Sequence, residues 1–534
     1  MGSPSELTLD LKSLLPPSGL LGITRACEVL HEALREQKKI VVVGDYDADG
    51  ATGTALAVRA LKAFGAQHVS YLVPSRFTQG YGLSPPLAEI AARQGAQLLV
   101  TVDNGIASVA GVEAAKKLGL QVLITDHHLA GPELPAADAV VNPNQAGCGF
   151  ASKSIAGVGV MFYVLSALRA HLRDAGWFNT RVEPNLAEFL DLVAVGTVAD
   201  VVRLDFNNRI LVAQGLNRIR AGRARPGILA LLRAANRKAE TVSASDLGFA
   251  IGPRLNAAGR LEDMALGIEC LLSDSEADAA RIAQQLDQLN HSRREIETQM
   301  RDEALAMVEL IETKQTGVSL FDAHWHEGIV GLVASKIKDK LHRPAVAFAR
   351  AQEAGLLKGS ARSITGLHIR DALAAVDAGH PGLIARFGGH AMAAGLTLPE
   401  KNLAAFTQAF DAICREWIAP SDLEQAIETD GELSGHELTM ETAQLLEDAG
   451  PWGQGFPEPL FEGRFEIAGS RVVASKHRKF ELRSGTAKLE AMWFGSAEQP
   501  LPAASDVWVF RLAVDRYWGE PKPMMHVQDV LKNQ

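Results

Sequence analysis

Between residues 40 and 200, short apolar stretches alternate with stretches of helical periodicity. The stretches that predict strands are KKIVVVGD, HVSYLVP, AQLLVTVD, LQVLITD and DAVVNP. Those that predict helices between them include ATGTALAVRALKAFG and VAGVEAAKKLG. Such alternation predicts a parallel sheet with helices on both faces. Ligands of such sheets bind at the carboxyl ends of the strands.

The rest of the chain predicts three further regions. Residues 206–314 have helical periodicity, and the stretch from DSEADAARIAQQ to MVELIE predicts one long helix between two lobes. Residues 315–420 return to strand–helix alternation and predict a second α/β domain. Short alternating strands in residues 421–534 predict a small β-barrel or sandwich. We therefore expect an α/β protein whose first domain covers residues 1–205.

Composition narrows the class of protein only slightly. The 534 residues contain no uncharged apolar run of 18 residues, and the start of the chain lacks the pattern of a signal peptide. Four cysteines lie far apart in sequence, as expected of a reduced cytoplasmic protein. The net charge of −10 argues against a broad nucleic-acid-binding surface but is compatible with a local basic groove.

The clearest candidate chemistry follows the first predicted strand. VVVGDYDADG (41–50) ends an apolar run with Asp45, Asp47 and Asp49. Alternate positions place these carboxylates on a similar side of an extended chain. Like charges so close repel each other, and divalent cations are the usual compensation. The alternative is an acidic loop that caps the next helix, although one aspartate is enough for a cap.

Three later stretches repeat this arrangement. Their acids and histidines are Asp103 in VTVDNG, Asp126, His127 and His128 in ITDHHL, and Asp200 in GTVADVV. Alone, Asp-Asn-Gly is common turn chemistry. Together, the stretches offer enough oxygens and imidazoles for two divalent ions, and such ligands suit Mn(II) or Mg(II). A pair of such ions is typical of phosphoester hydrolysis.

The second α/β region offers groups that suit a phosphate. In FGGHAMAAG, Gly388 and Gly389 let backbone N–H groups approach a phosphate closely, and His390 follows them. In LKGSARS, Ser360 and Arg362 are suitable donors to a terminal phosphate. A turn before a helix and ordinary surface charge are the structural alternatives. HWHEGIVG (324–331) lacks the HExxH spacing, so we expect a structural or substrate-lining role for it.

The predicted barrel carries basic residues interleaved with aromatic ones. This pattern suits an OB-fold that holds single-stranded DNA by charge and stacking. A solvated β face with core aromatics is the alternative. The residues concerned are Arg471, Lys476, His477, Arg478, Lys479, Trp493, Phe494, Tyr517 and Trp518.

In this order, the motifs resemble the DHH phosphoesterase family, and within it the bacterial exonucleases that degrade single strands 5′→3′. The matching stretches are GDYDADG (44–50), VDNG (102–105), TDHH (125–128), GTVADVV (196–202), GPRLNAAGRL (252–261), KGSARS (358–363) and RFGGHAMAAG (386–395). The resemblance implies a parallel-sheet DHH domain, a DHH-associated domain that closes over the active site, and an OB-fold.

The resemblance also implies roles for individual residues. Two ions, Mn(II) or Mg(II), would be bound by Asp47, Asp49, Asp103, His127 and Asp200. His128 would face the scissile phosphate and Asp126 would support the site, while Asp45 is either a supporting carboxylate or a further ligand. The 5′ end of the substrate would be bound by Arg76, Ser360 and Arg362, with Gly388, Gly389 and His390 near the phosphate. Arg254 would contact substrate, unless it serves helix packing or a salt bridge.

The implied activity is hydrolysis of single-stranded DNA from its 5′ end to 5′-mononucleotides, in DNA repair and recombination. Single-stranded-DNA-binding protein and a helicase are the implied partners of a cytoplasmic monomer. A phosphatase of short oligonucleotides is disfavoured by the helical insert and the extra β-domain. An inactive scaffold is disfavoured by the complete set of ligand positions.

Overall fold

The computed structural model describes residues 4–75, 81–310, 315–433, 435–485, 487–516 and 520–532. It contains three sheets, two of them covered by helices and one closed into a barrel. None of the helices in these ranges combines the length and apolar character that crossing a membrane requires. The α/β class with a C-terminal β-barrel, expected from the sequence, is confirmed.

The first sheet has five parallel strands in the order β2-β1-β3-β4-β5. The strands are β1 Ile40–Val43, β2 Val69–Leu72, β3 Leu98–Val102, β4 Gln121–Thr125 and β5 Ala139–Val141. The accompanying helices are α1 Ile23–Arg35, α2 Ala48–Ala63, α3 Pro85–Arg93, α4 Val109–Lys117, α5 Gly157–Asp174 and α6 Leu190–Ala199. Separate apolar cores cover the two faces, so the central strands are apolar without alternation.

Helices α7 to α12 follow the first sheet. They are α7 Phe206–Arg220, α8 Pro226–Ala234, α9 Ala244–Asp246, α10 Gly252–Leu261, α11 Ala265–Leu272 and α12 Glu276–Leu310, with a π-helical turn at Leu247–Ile251. One continuous core reaches from Leu20 to Leu286, so these helices pack with the first sheet. The later part of α12 packs in the second lobe around Met300. The long helix predicted from the sequence thus connects the two lobes.

The second sheet is mixed, in the order β6-β7-β8-β10-β9, and only β6 and β7 are parallel. Its strands are β6 Val318–Phe321, β7 Ala345–Arg350, β8 Leu356–Arg362, β9 Arg386–Gly389 and β10 Ala393–Pro399. Its helices are α13 Val330–Leu341, α14 Ile369–Gly379 and α15 Leu403–Trp417. Burial alternates along β8, which places Lys358, Ser360 and Arg362 on one face of the sheet.

The C-terminal barrel contains six strands in the order β11-β15-β16-β14-β13-β12. Its elements are α16 Met440–Asp448, β11 Phe461–Gly463, β12 Glu466–Val473, β13 His477–Ser484, β14 Ala487–Trp493, β15 Val507–Asp515 and β16 Lys522–Leu531. Only residues 464–465 separate β11 from β12, and these two strands are the opposite ends of the strand order, β11 beside β15 and β12 beside β13. One bent strand therefore closes the sheet around Phe480, Trp508 and Phe510. The sequence pattern did not predict α16.

Candidate metal centre

Strands β1, β3 and β4 are neighbours and parallel, so their carboxyl ends lie at one edge of the first sheet. Asp103 and Asp126 directly follow β3 and β4, Asp45 lies two residues after the end of β1, and all three are buried. Strand order, which sequence spacing does not state, brings them together. The acidic cluster expected at the strand ends therefore exists.

Two of the predicted acids reach the cluster from helices instead of strands. The chain is extended only as far as Asp47, whose side chain caps α2 by accepting from the Gly50 N–H at 3.0 Å. Asp49 lies in the first turn of α2, so the expectation that all three acids follow an extended chain was wrong for Asp49. Asp200 follows α6 and lies at its C-terminus. Side chains of a helix point outward around its axis at 3.6 residues per turn, so Asp49 and Asp200 reach the cluster from directions that the strands do not supply.

The start of α5 fixes the carboxylate of Asp49. The N–H groups of Gly157 and Val158 donate to its two oxygens at 2.6 and 2.9 Å. A helix N-terminus favours negative charge, so α5 stabilises a buried anion at this point. A Cβ atom on Gly157 would lie 2.5 Å from the Cβ of Asp103, which explains the glycine.

The donors form three overlapping groups of possible metal ligands. In each group the donor atoms lie within 4.8 Å of one another. The groups are Asp45, Asp47 and Asp103; Asp49, His127 and Asp200; and Asp103, His127 and His128. The first two groups share no residue, so together they offer donors for two ions. Asp45 lies in the first group beside Asp47, as the interpretation of Asp45 as a further ligand requires.

The Nε2 atom of His127 faces two carboxylate oxygens of this cluster, as donor atoms around a metal ion do. His127 Nε2 lies 3.0 Å from Asp103 Oδ1 and 3.5 Å from Asp200 Oδ2. Among the described residues, neither His127 Nε2 nor Asp103 Oδ1 has a hydrogen-bond partner, although both are buried. Buried polar atoms without partners are costly. A divalent cation between the donors fits this arrangement.

The pKa values of the clustered side chains also favour a bound cation. Burial and the neighbouring Asp47 raise the pKa of Asp49 to about 7. Burial and the other carboxylates also raise the pKa values of Asp103 and Asp200 well above the ordinary range. Burial and the adjacent His128 lower the pKa of His127 to about 4, so its imidazole is neutral and retains a lone pair. The acids repel each other, and a cation would relieve that repulsion.

Asp126 orients His128 and is fully engaged in hydrogen bonds. One oxygen accepts from the Ile106 N–H at 2.9 Å, and the other accepts from the His127 N–H and lies 2.8 Å from His128 Nδ1. Burial alone would lower the pKa of His128, but this bond and the surrounding acids raise it to about 9. His128 is therefore a cationic donor at the edge of the cluster.

The second lobe contributes a cavity of about 600 Å³ beside these groups. Its walls include Ser360, Arg362 and Gly388. Arg362 donates to Ser360 Oγ and to a backbone carbonyl, both at 2.9 Å, and burial lowers the pKa of its guanidinium. A Cβ on Gly388 would meet nothing within 4 Å, so the backbone there is open to a ligand. Gly389 has φ +147°, and a Cβ there would clash with the Ala393 carbonyl.

His390 lies where the second lobe meets the first. Its ring stacks on that of His128, with centroids 5.8 Å apart. The structure therefore brings His390 to the metal cluster, although more than 250 residues separate the two histidines in the chain.

Arg254, predicted to contact substrate, does not line the cavity. Arg254 forms an ion pair with Asp287 of α12 at 2.7 Å and donates to the Ala250 carbonyl. These contacts match the salt-bridge alternative that the sequence left open. Arg76 lies outside the described residues.

Other residues that line the cavity were not singled out from the sequence. They include Tyr46, Tyr81, Arg260, Lys358 and Arg386. Tyr81 Oη donates to the Asp103 carbonyl at 3.0 Å and lies 3.1 Å from His128 Nδ1. Lys358 and Arg386 are part of the motifs KGSARS and RFGGH, so their positions in these motifs were the available signal.

Comparisons with known proteins agree with this architecture. Family models match the DHH family N-terminal domain at residues 39–197, the DHHA1 domain at residues 313–416 and the RecJ OB domain at residues 429–529. The single-stranded-DNA-specific exonuclease RecJ of Escherichia coli K12 is 56% identical over 483 residues, which cover 89% of this chain and 84% of the relative.

Solved structures of RecJ from Thermus thermophilus are also similar. The complex with Mn²⁺ aligns with a TM-score of 0.82 and 30% identity, over 99% of this chain and 74% of that chain. The complex with Mg²⁺ aligns with a TM-score of 0.78 and 29% identity, over 99% and 73%. A DHH sheet with acids at its carboxyl edge, a DHHA1 lobe and an OB barrel define the class of protein. The chain belongs to the DHH family and, within it, to the RecJ proteins, which confirms the family expected from the motifs.

Proposed function

We propose that this chain is a metal-dependent exonuclease that degrades single-stranded DNA from its 5′ end and releases 5′-mononucleotides. One observation is decisive. A cavity lined by cations and open backbone adjoins a cluster of carboxylates and imidazoles that can bind two divalent ions. A terminal phosphate in this cavity would place the first phosphodiester near the cluster. Membership of the RecJ proteins supports single-stranded DNA as the substrate.

The metal ligands in this proposal are Asp47, Asp49, Asp103, His127 and Asp200, with Asp45 as a further candidate. Bound Mn(II) or Mg(II) would activate a water molecule and stabilise charge on the phosphoryl oxygens. The protein holds the ligands in place through the N-terminus of α5 and the cap of α2. His128, oriented and charged by Asp126, would donate to a non-bridging oxygen of the scissile phosphate.

The second lobe would determine that degradation begins at the 5′ end. Arg362 is partly buried, and the contacts found for its guanidinium are with a neutral hydroxyl and a carbonyl. A guanidinium in such surroundings favours an anion with two oxygens, such as a terminal phosphate. Ser360 and the backbone at Gly388 and Gly389 would supply further donors. A 3′ hydroxyl end would leave Arg362 without this partner.

Selectivity for single strands would be steric. The rings of His128 and His390 lie in contact distance across the cleft between the lobes. Helix α12 belongs to the cores of both lobes, which limits how far the cleft can widen. A single strand can pass such a cleft, whereas a duplex is too wide.

The C-terminal barrel would bind a part of the single-stranded DNA that lies outside the cleft. Phe494 is 57% exposed, and its ring contacts those of His477 and His526. An exposed aromatic ring beside donor groups suits base stacking. Trp493 packs against the barrel core, which is the structural alternative for that residue. Tyr517 and Trp518 lie outside the described residues.

The biological setting extends this proposal. We place the enzyme in DNA repair and recombination in the cytoplasm, acting as a monomer with single-stranded-DNA-binding protein and a helicase. The four cysteines are free, as a reducing compartment would require. We also propose domain boundaries near residues 205, 314 and 420.

A single-stranded oligonucleotide labelled at its 3′ end, compared with its blunt duplex, tests the function. With Mn(II) or Mg(II), labelled products should shorten from the 5′ end while the duplex stays intact. Turnover limited to fragments of two to five nucleotides would instead indicate a small-substrate phosphatase. Tight strand binding without hydrolysis would indicate a scaffold.

A further inference from the structure

The cavity that would bind the 5′ end contains one group of the wrong charge for a phosphate. Four cations line it: Arg260, Lys358, Arg362 and Arg386. Among the described lining residues, Glu327 is the only carboxylate. An acid in a phosphate-binding cavity weakens anion binding, so its presence requires an explanation.

The partner of Glu327 is one of these four cations. Lys358 Nζ lies 3.2 Å from Glu327 Oε2, and the two side chains are 35% and 11% exposed. Lys358 shares the face of β8 with Ser360 and Arg362, so it points into the same space as the proposed phosphate contacts. Glu327 therefore pairs with a lysine that a phosphate would otherwise bind.

The loop that carries Glu327 is fixed by the other lobe. Arg260 at the end of α10 donates to the Gly328 carbonyl at 3.0 Å. A Cβ on Gly328 would lie 2.5 Å from the Arg260 carbonyl oxygen. The backbone beside Glu327 is therefore anchored at the cavity, which keeps the carboxylate within reach of Lys358, so that an arriving phosphate competes with it for the lysine.

We propose that Glu327 is a specificity-determining residue that competes with the 5′ phosphate for Lys358. This inference rests on the proposed function. The competition limits how tightly the cavity holds a terminal phosphate. This phosphate is a monoester both in the bound strand and in the mononucleotide that is released, so weaker binding also speeds release of the product. It also disfavours 5′ ends of higher charge, such as a triphosphate.

Binding of 5′-phosphorylated and 5′-hydroxyl oligonucleotides to the full chain in EDTA tests this. Glu327→Gln should tighten binding of the phosphorylated strand by about fivefold at low salt, the effect expected of a partly exposed ion pair. The hydroxyl strand should bind almost as it does to the wild type. The slope of log K against log salt should steepen by about 0.7 for the phosphorylated strand, as one more cation becomes available.

Turnover in Mn(II) supplies a second measurement. A deoxynucleoside 5′-monophosphate should inhibit Glu327→Gln at severalfold lower concentration than it inhibits the wild type. Both effects should disappear when Lys358→Gln is combined with Glu327→Gln. Glu400→Gln removes the same charge from an exposed ion pair with Arg350 in the same lobe, so it should behave as the wild type does.

The outcomes separate this inference from the proposed function. Equal tightening of both strands, the same effect in Glu400→Gln, or an effect that persists without Lys358 would overturn the role of Glu327. Unchanged binding and inhibition would also overturn it. If the wild type degrades no single strands in Mn(II) or Mg(II), the proposed function itself fails.

Discussion

The imidazole rings of His128 and His390 lie 5.8 Å apart, with their planes inclined by 23°. His128 follows strand β4 of the first sheet, and His390 follows β9 of the second. The ring of His128 is held by Asp126, and the backbone N–H of His390 donates to the Ala393 carbonyl at 2.8 Å. The ring of His128 and the backbone of His390 are therefore each fixed by their own lobe, and the pair marks the place where the lobes meet beside the metal cluster.

Replacing His390 with Ala should reduce kcat/KM on single-stranded DNA by about 100-fold, because a donor near the scissile phosphate is lost. His390 belongs to none of the candidate ligand groups, so the rise in Tm caused by Mn(II) should persist. His380→Ala, at an exposed position in the same lobe, should retain wild-type kinetics. Loss of the Mn(II)-dependent rise in His390→Ala would show that His390 acts through the metal site.

Replacing Asp103 with Asn should abolish hydrolysis and leave strand binding intact in EDTA. Asp103 belongs to two of the three ligand groups, so the variant should also lose most of the stabilisation by Mn(II). That stabilisation amounts to about 2.7 kcal/mol at a concentration 100 times Kd. Thermal unfolding with and without Mn(II), together with fluorescence anisotropy, measures both effects.

The metal-free stability of Asp103→Asn should not fall, since burial and nearby acids raise the pKa of Asp103 and make its charge costly. Asp174→Asn, at an exposed position, is the matched control and should be active. A variant that lost strand binding and stability together would point to misfolding instead of a lost ligand.

Replacing Gly157 with Ala should inactivate the enzyme although no charged group changes. The new methyl group would lie within 2.8 Å of three Asp103 atoms, and the N–H of residue 157 would no longer hold Asp49 in place. We expect a loss of about 1–3 kcal/mol in stability, typical of overpacking, and weaker Mn(II) binding by calorimetry. Gly379→Ala, where a Cβ meets nothing within 4 Å, should be active, and equal activity of both variants would contradict this account.

Stability should depend on pH through a histidine pair that joins α1 to α5. His31 Nδ1 and His171 Nε2 share a hydrogen bond of 3.0 Å between α1 and α5, with Trp177 against His31. Burial lowers the pKa of His31, and His171 and Arg35 add to this effect. A group whose pKa is lower in the folded state than in the unfolded state stabilises the fold above its unfolded pKa. Stability is then lost as pH falls below about 6.5.

His31→Gln should therefore lose less stability than the wild type between pH 7.5 and pH 5.5. Because the pair is only partly buried, the difference in Tm should be no more than about 2 °C. His68→Gln, at an exposed position, should follow the wild-type profile. Parallel profiles for His31→Gln and the wild type would exclude the pair as the cause.

The elements of the fold were predictable because their signals are local. Apolar runs such as KKIVVVGD and the helical periodicity of residues 276–310 reflect burial of one strand or one helix at a time. Helix α16, which precedes the barrel strands, was not predicted. Few of its positions are buried, so its helical periodicity is weak. The family was equally predictable, since ordered motifs are a property of the sequence itself.

By itself, the sequence determined the α/β class, the barrel, the family and the set of acids and histidines that could bind metal. Only the tertiary structure decided that Asp49 and Asp200 arrive from helices, that Arg254 pairs with Asp287, and that Glu327 lies among the cavity cations. These relationships join residues far apart in the chain. They depend on strand order and helix packing, which local patterns do not specify.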